Sequence, residues 1–515
     1  MSPQSRARWT AAAVATGVFV LLGYAGWQML RDPLKDLPVR PRQDRAADKA
    51  ADVFRPQLPP PAAGGFVGSA ACAECHAEVH HEYHHSHPMG QSLARIGEEH
   101  VVEDYVNNTT FEPPPSTKIR LSWRYEVERS AEGVYHHEVA LDPQGEVVYD
   151  NRVPIHYAVG SGQRGRSYVI DRDGLLYMSS ITWYSEKQRW NLSPGYLVQN
   201  LRFERRVFDG CLVCHTGRMT TQPDRPDFHA PPTFLEETIG CEQCHGPGQA
   251  HVEYRRRQPT DGRPDPIVNP LTLEPDLRDS VCYQCHLSGE TRITRYGRTH
   301  LDFRPGDDLS DIWTVFVRGT GITQNQTTSA VSQPEQMEAS ACYQKSDRQL
   351  SCLSCHDPHS IPQPEERIEF YRSRCLECHA SNGAPCSESE ERRKAVTAED
   401  SCIHCHMPRI DANDVPHTSQ TDHRVLRVYP TGEPSTPSRE QQPLRIFGRA
   451  AERMTPQELD RALGVLIVRN ADRSSDPLLA LEGIPKLEPW FAAAPEDVQV
   501  AEALGAAYAL NHENE

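Results

Sequence analysis

The sequence is short of apolar and aromatic residues for its length. Of its 515 residues, 37% are apolar and 7% aromatic, whereas 42 are proline. A chain of this size is expected to form two or more domains, and this composition is typical of long loops or partial disorder. Positive charge is also scarce: 54 basic residues against 71 acidic ones give a net charge of −17, which argues against a nucleic-acid-binding protein. A mean hydropathy of −0.63 excludes a protein that crosses a membrane many times.

Cysteine and histidine are abundant instead, with 16 and 24 residues. Fourteen of the cysteines lie in seven copies of the pattern C-x-x-C-H. In chain order, and numbered below as sites 1 to 7, the copies are Cys72, Cys75 and His76; Cys211, Cys214 and His215; Cys241, Cys244 and His245; Cys282, Cys285 and His286; Cys352, Cys355 and His356; Cys375, Cys378 and His379; and Cys402, Cys405 and His406.

This spacing fits the covalent attachment of haem c. Two cysteines three positions apart lie on one side of a helical turn, where their thiols can form thioethers with the two vinyl groups of a haem, and the histidine that follows is placed to bind the iron. Zinc sites and disulfide frameworks do not require a histidine after every second cysteine. The sequence therefore predicts seven covalently attached haems with their iron. It also predicts a fold that depends on them, because the macrocycles supply apolar interior surface.

Two cysteines, Cys342 and Cys386, lie outside the motifs. In an oxidising compartment they can form a disulfide that encloses two of the motifs. Two unlinked buried thiols are the alternative, and both interpretations stay open because no spacing rule reports the distance between them.

One uncharged stretch, residues 9–30, is long enough to span a bilayer as a helix. We expect residues 1–30 to be an uncleaved membrane anchor, with a cleaved secretory signal as the alternative. The basic residues that follow would leave the body in the cytoplasm by the positive-inside rule, but large domains translocate largely regardless of flanking charge. We therefore expect the body to be periplasmic and joined to an inner-membrane anchor by a proline- and charge-rich linker over residues 31–65.

The motifs divide the chain unevenly. Sites 2 to 4 and sites 5 to 7 follow one another closely and are expected to form two clusters, whereas Cys72 of site 1 lies 139 positions before Cys211 of site 2. This gap contains short runs rich in β-forming residues, at 119–128, 134–141 and 146–153. A D-P-Q-G sequence joins the last two runs and favours a hairpin turn. The sequence predicts an antiparallel β region at about 115–182, within a haem domain at 66–430.

Residues 444–515, after the haem motifs, are expected to be helical. Residues 456–469 have helical periodicity, with acidic residues early and arginine late. Residues 495–510 contain A-L-G-A-A-Y, which matches the L-G-x-x-Y core of a tetratricopeptide repeat. An ordinary amphipathic helix is the alternative. A repeat here would offer a surface to a protein partner.

Seventeen further histidines are available as sixth ligands of the irons. The candidates, in order of preference, are His251, His359, His417, His423 and His87. The first two follow the motifs of sites 3 and 5 so closely that each is expected to cross to a neighbouring haem, with a surface histidine near a turn as the alternative. Met89 is the alternative to His87, and most of the histidines between positions 80 and 85 are expected to lie on a solvated helix face.

Several segments resemble a known family. The sequences C-E-Q-C-H-G-P-G-Q-A-H at 241–251, C-H-D-P-H at 355–359 and C-H-M-P at 405–408 resemble those of multihaem cytochromes c. The group in question is related to the tetrahaem cytochromes and hydroxylamine oxidoreductases, and residues 157–169 and 183–196 resemble a subgroup with tetratricopeptide repeats after the haems. The resemblance implies a mostly irregular and α-helical multihaem cytochrome c fold, with a small antiparallel β region and a C-terminal repeat-like helical segment. It further implies periplasmic electron transfer through haems that mostly have two histidine ligands.

Two departures from the family weaken an enzymatic interpretation: there is no C-x-x-C-K motif, and no tyrosine is evidently placed to cross-link an active haem. We therefore expect a membrane-anchored electron carrier that exchanges electrons with periplasmic or membrane redox partners. The first alternative is an oxidoreductase acting on a small nitrogen or sulfur compound at one open haem, with His156, Tyr157, Arg164 and Arg166 near its pocket. The second is a haem-bearing scaffold that docks a partner through its repeat region.

Overall fold

The computed structural model describes residues 65–114, 121–222, 225–258, 262–380, 386–397, 399–427 and 438–511. The expected anchor at 1–30 and all but the last residue of the expected linker at 31–65 lie outside these ranges. Within them, no helix combines the length and the apolar character needed to cross a bilayer.

Most of the strands lie between sites 1 and 2. The strands are β1 (Leu93–Arg95), β2 (Thr110–Phe111), β3 (Ser122–Ser130), β4 (Gly133–Leu141), β5 (Val147–Ile155), β6 (Tyr157–Val159), β7 (Gly165–Arg172), β8 (Leu175–Met178), β9 (Ile181–Tyr184), β10 (Arg189–Leu192), β11 (Arg205–Arg206), β12 (Arg218–Met219), β13 (Phe234–Glu236), β14 (Thr291–Thr294), β15 (Trp313–Arg318), β16 (Arg409–Asp411), β17 (Ser419–Thr421) and β18 (Leu444–Ile446). Strands β2 to β5 form one antiparallel sheet in sequence order. A second sheet has the order β1-β6-β7-β8-β11, with β9 and β10 joined to it through β7.

The two large sheets share one aromatic core. Tyr125 of β3, Tyr168 of β7, and Trp183 and Trp190 of the β9–β10 hairpin are each at most 1% exposed and belong to the same cluster. The β4–β5 hairpin turns where the D-P-Q-G sequence lies: the Gly145 amide donates to the Asp142 carbonyl at 3.0 Å. Gly145 has a φ of 86°, which glycine adopts without strain. The β structure extends beyond residue 182, where the sequence prediction ended, to β11.

The helices around the motifs are short. The α-helices within the described residues are α1 (Ser69–Ala73), α2 (Ala77–Ser86), α3 (Asp209–Leu212), α4 (Glu242–His245), α5 (Gln249–Arg256), α6 (Pro275–His286), α7 (Gln333–Ala339), α8 (Ala341–Lys345), α9 (Arg367–His379), α10 (Glu390–Val396), α11 (Cys402–His406), α12 (Pro456–Ser474), α13 (Pro477–Ala493) and α14 (Val498–Leu510). Between them run the small antiparallel sheets β12–β13, β14-β15-β18 and β16–β17.

The last three helices pack on one another and on the β14-β15-β18 sheet. Helix α12 begins with a capping box, in which Thr455 and Glu458 satisfy each other's backbone N–H groups, followed by proline at its first position. A Cβ atom added at Gly464 of α12 would lie 2.6 Å from the Leu487 side chain, so the glycine permits the close approach of α13. Buried Arg461 pairs with Asp497 at 2.6 Å and fixes the start of α14.

The sequence reasoning identified α12 and α14 but did not predict the bounds of α13. This helix contains Pro485 and Pro489, and interior proline normally argues against a helix because it removes a backbone donor. Packing overrides this cost, since Leu487 is fully buried and Trp490 is 3% exposed.

Candidate haem sites

Each motif folds as one helical turn, which brings its three functional side chains together. In sites 1, 3 and 5 the histidine amide donates to the carbonyl of the first cysteine, at 2.9, 3.0 and 2.9 Å. This i to i+4 hydrogen bond places the two thiols on the same side of the turn. The cysteines are unlinked in all seven motifs, as thioether formation requires.

Among the described residues, three of the motif histidines each face a second histidine, at nearly the same separation. The ring centres of His76 and His251 are 6.4 Å apart, those of His245 and His359 are 6.0 Å apart, and those of His356 and His423 are 6.3 Å apart. The ring planes in each pair are within 28° of parallel. Two imidazoles bound to one iron through metal–nitrogen bonds of about 2 Å have ring centres roughly 6 Å apart. The three gaps therefore fit an iron with two axial histidines.

Hydrogen bonds at Nδ1 prepare several of these histidines to bind iron through Nε2. The Nδ1 atom of His245 lies 2.8 Å from the Val268 carbonyl, and that of His406 lies 2.7 Å from the Leu426 carbonyl. Among the second histidines, Nδ1 of His423 lies 2.8 Å from the Thr421 carbonyl. A carbonyl can only accept, so Nδ1 carries the proton and Nε2 presents its lone pair, which is the usual second-shell arrangement of a metal-bound histidine.

The ring of His251 is oriented by a carboxylate instead of a carbonyl. Its Nδ1 lies 2.7 Å from Asp265 Oδ1, and Arg255 also donates to Asp265 at 2.6 Å. A carboxylate in this position fixes the tautomer and the orientation of the ring. The sequence reasoning did not identify Asp265, because it lies 14 residues further along the chain and only the fold brings the two side chains together.

The motif histidines of sites 2 and 4 are accessible but have protein atoms close around them. The rings of His215 and His286 are exposed, yet enough protein surrounds them that burial lowers the pKa of both imidazoles. Burial also lowers the pKa of His356, to about 4, and that of His423. These histidines are neutral at physiological pH, which is the form that binds a metal.

Sites 1 and 3 are joined by direct hydrogen bonds. The buried Glu242 carboxylate, within the motif of site 3, accepts from the backbone amides of Val67, Gly68 and Gly248 at 2.7–2.9 Å. The amide of Cys241 donates to Ser69 Oγ, at the start of α1, at 3.0 Å. The thiols of Cys72 and Cys241 are hydrogen-bonding neighbours as well.

Site 4 contacts both site 3 and site 2. The Gln284 amide group donates to the Gln243 carbonyl at 3.0 Å, and the Gln243 amide group donates back to Gln284 Oε1 at 3.4 Å. The Cys214 thiol of site 2 donates to the Gln284 carbonyl at 3.5 Å and is also a hydrogen-bonding neighbour of Cys285. The two glutamines stand at the same variable position of their motifs, C-E-Q-C-H and C-Y-Q-C-H, which is the one sequence signal that could have paired these sites.

The remaining sites continue the series. The thiols of Cys282 and Cys352 join sites 4 and 5, and those of Cys375 and Cys402 join sites 6 and 7. Sites 5 and 6 meet where Tyr371 of α9 lies 3.5 Å from Nδ1 of His356. The described motifs thus form one continuous series, 1-3-4-5-6-7, with site 2 attached at site 4.

This order corrects the expectation of two separate clusters with site 1 far upstream. The 139-residue gap folds back on itself, because β1, just after site 1, pairs with β6 deep inside the gap. The return of the chain then places site 1 against site 3. Sites 4 and 5 likewise meet although 70 positions separate Cys282 from Cys352.

Among the described residues, two predicted ligands, His417 and His87, do not face a motif histidine across any of these gaps. Nε2 of His417 lies 2.8 Å from the side-chain amide of Asn191 in β10, and its ring packs on Tyr184. His87 is buried against Tyr83, and its Nδ1 accepts from the Met89 amide at 3.2 Å.

The residues outside the motifs that the sequence reasoning singled out have other positions. Cys342 and Cys386 are not bridged. Arg166 donates to Glu103 at 3.0 Å and to three carbonyls, and thereby fastens the β region. His156 accepts from the Asp171 amide at 3.0 Å. Arg166 and His156 are therefore engaged within the β region.

Comparison with known proteins supports the haem binding that the motifs indicate. Residues 346–384, which hold sites 5 and 6, match the family model described as a doubled CXXCH motif. The chain is also similar to the multihaem cytochrome MtrA of Shewanella baltica (strain OS185), with 23% identity over 195 residues, covering 34% of this chain and 54% of that protein. The chain thus spans about half the length of this curated relative. No solved structure shows a significant match. These similarities support covalently bound haem c and a multihaem c-type cytochrome.

Proposed function

We propose that this protein is an electron carrier with seven covalently attached haems, one at each C-x-x-C-H motif. The observation that carries the proposal is the set of three histidine pairs with ring centres 6.0–6.4 Å apart. When bound, each haem supplies a one-electron iron couple. An iron with two imidazole ligands exchanges electrons without exchanging ligands, which suits transfer better than catalysis.

In this proposal the chain supplies the iron ligands from different parts of the sequence. His76 and His251 serve site 1, His245 and His359 serve site 3, and His356 and His423 serve site 5. Each second histidine thus follows a motif other than the one it serves, which links site 1 to site 3, site 3 to site 5 and site 5 to site 7. His417 is left out of the ligand set because Asn191 engages its Nε2.

The contacts between motifs support transfer along the whole series of sites. The attachment cysteines of adjacent sites are neighbours at four junctions, 1–3, 2–4, 4–5 and 6–7. Haems attached to these cysteines would lie close together, and the chain would then hold a path for electrons between these sites.

We further propose a periplasmic location with residues 1–30 as a membrane anchor, on the strength of their uncharged 22-residue core. The partners would be periplasmic or membrane redox proteins. Because the chain carries a net charge of −17 and haem propionates add to it, a basic partner would be steered toward this surface.

Carbon monoxide binding to the reduced protein tests the ligand assignment. The variant His423→Ala is expected to bind one more equivalent of carbon monoxide than the unaltered protein, because it opens one iron. The matched control His417→Ala is expected to bind no more than the unaltered protein. Equal binding by His423→Ala and the unaltered protein would contradict the assignment. If the unaltered protein converted a small nitrogen or sulfur compound and carbon monoxide inhibited that activity, an enzyme would be favoured.

A further inference from the structure

The side chain of Arg292 lies at the junction of sites 2 and 4. This residue is in β14, and its guanidinium donates to the carbonyls of Leu287, Gln284 and Tyr283 at 2.5, 2.7 and 2.8 Å. These are carbonyls at the C-terminal end of α6, the helix that carries the motif of site 4 and ends at His286. A cation in this position interacts favourably with the helix dipole.

The same guanidinium reaches site 2. It is a hydrogen-bonding neighbour of the Cys214 thiol, and this thiol shares the Gln284 carbonyl with it. Arg292 also interacts electrostatically with Cys285 of site 4. One positive charge is therefore next to an attachment sulfur of site 2 and next to the helix of site 4.

Within the described part of the chain, Arg292 forms no ion pair that would neutralise its charge. Among the residues that the structure describes, its guanidinium donates to three carbonyls and neighbours the Cys214 and Cys285 thiols, and the centre of the Trp313 ring lies 5.2 Å away. The acidic group that interacts with it is Glu335, which is 4% exposed. Burial raises the pKa of Glu335 to about 7, so this carboxyl carries only part of its charge at neutral pH.

We infer that Arg292 raises the reduction potentials of the haems at sites 2 and 4 above those of the other sites, so that the first electrons taken up reside at this junction. A haem loses one positive charge when it is reduced, so a fixed cation nearby stabilises the reduced form. Coulomb interaction weakens with distance, and partly buried charges are screened least. The inference rests on the proposed function, because it requires haems at both sites.

Replacement of the charge tests the inference. In the complete haem-loaded protein, Arg292→Gln is expected to move two of the seven one-electron steps to lower potential in a spectroelectrochemical titration, and to move the other five much less. The control Arg172→Gln removes a β7 arginine whose partner is Glu204 and which contacts no motif cysteine, and it is expected to leave all seven steps in place. No shift in Arg292→Gln, or an equal shift of all seven steps, would overturn the inference.

Two further measurements separate charge from packing and from misfolding. Arg292→Lys keeps the charge and is expected to keep the two potentials near their original values, whereas a shift as large as that of Arg292→Gln would overturn the role of charge. In the unaltered protein, the indole N–H resonance of Trp313 is expected to move with the first two electrons and not with the last ones. The reverse order would overturn the inference. A protein with fewer than seven haems would instead refute the proposed function.

Discussion

Helices α9 and α12 show two ways of holding a helix in place. Helix α12 buries nine of its nineteen residues, including Val465 and Leu466, against α13, α14 and the β14-β15-β18 sheet. Helix α9 carries site 6, has thirteen residues and buries none of them. Side chains alone account for the position of α12. The position of α9 requires another apolar partner, and the haems at sites 6 and 7 would supply it.

We expect the largest difference between these two helices in a chain that has no haem attached. A chain produced without haem attachment is expected to lose protection from hydrogen exchange in α9 and in the other motif helices, while α12 to α14 and the aromatic core of the β region retain it. Hydrogen exchange with mass spectrometry measures both regions in one sample. Protection of α9 in the haem-free chain would show that side chains suffice there as well.

A substitution in the side-chain core should affect the other region. Leu466 is 1% exposed, and Leu466→Ala is expected to destabilise the C-terminal helices by about 2–5 kcal/mol while leaving the haem spectrum unchanged. Leu478, on the same bundle, is 75% exposed, and Leu478→Ala is expected to cost less than about 0.5 kcal/mol. Chemical denaturation followed by far-ultraviolet circular dichroism measures the difference. Equal effects of the two variants would contradict the packing described for α12.

Within the haem region, polar contacts are expected to matter more than apolar ones. Glu242→Ala leaves the amides of Val67, Gly68 and Gly248 without their acceptor, which is expected to cost on the order of 2 kcal/mol and to loosen site 1 from site 3. The variant Glu253→Ala, at an exposed position of α5, serves as the control. Thermal unfolding monitored in the haem absorption band measures the change in stability. An unaltered unfolding midpoint for Glu242→Ala would show that this carboxylate does not stabilise the contact between sites 1 and 3.

The smallest effect concerns acid stability near sites 6 and 7. Arg393 and Arg372 donate to Asp400 and lower the pKa of its carboxyl from 3.8 to about 2. A depressed pKa stabilises the folded state above the unfolded pKa, and this stabilisation is lost as the pH falls from about 4 to about 2. Asp400→Asn is therefore expected to be less stable than the unaltered protein at pH 7, with a difference that disappears near pH 2. A difference that is constant with pH would contradict this pairing.

Local features of the chain were readable from its sequence. The three β runs predicted at 119–153 lie within a few residues of β3, β4 and β5, because alternating side chains and a turn sequence are local signals. The helices at 456–469 and 495–510 were also predictable, because helical periodicity is a local signal too. Helix α13 lies within the helical expectation for residues 444–515, but its bounds were not predicted, because its stability comes from tertiary packing.

The relations between sites were not readable from the sequence. Sequence spacing suggested two haem clusters, yet site 1 lies against site 3 because the intervening chain folds into a β unit that returns to its starting point. Residues such as Asp265, Tyr371 and Arg292 carry no motif of their own. Their roles depend on which groups the fold places beside them, and this information is non-local.

We propose that each of the seven motifs holds its own haem through two thioether bonds. Intact-protein mass spectrometry of the purified, acid-acetone-extracted protein tests it most directly. We expect a single species with seven haem groups that extraction does not remove. A species with fewer attached haems, or a protein that loses its colour to acid acetone, would contradict it.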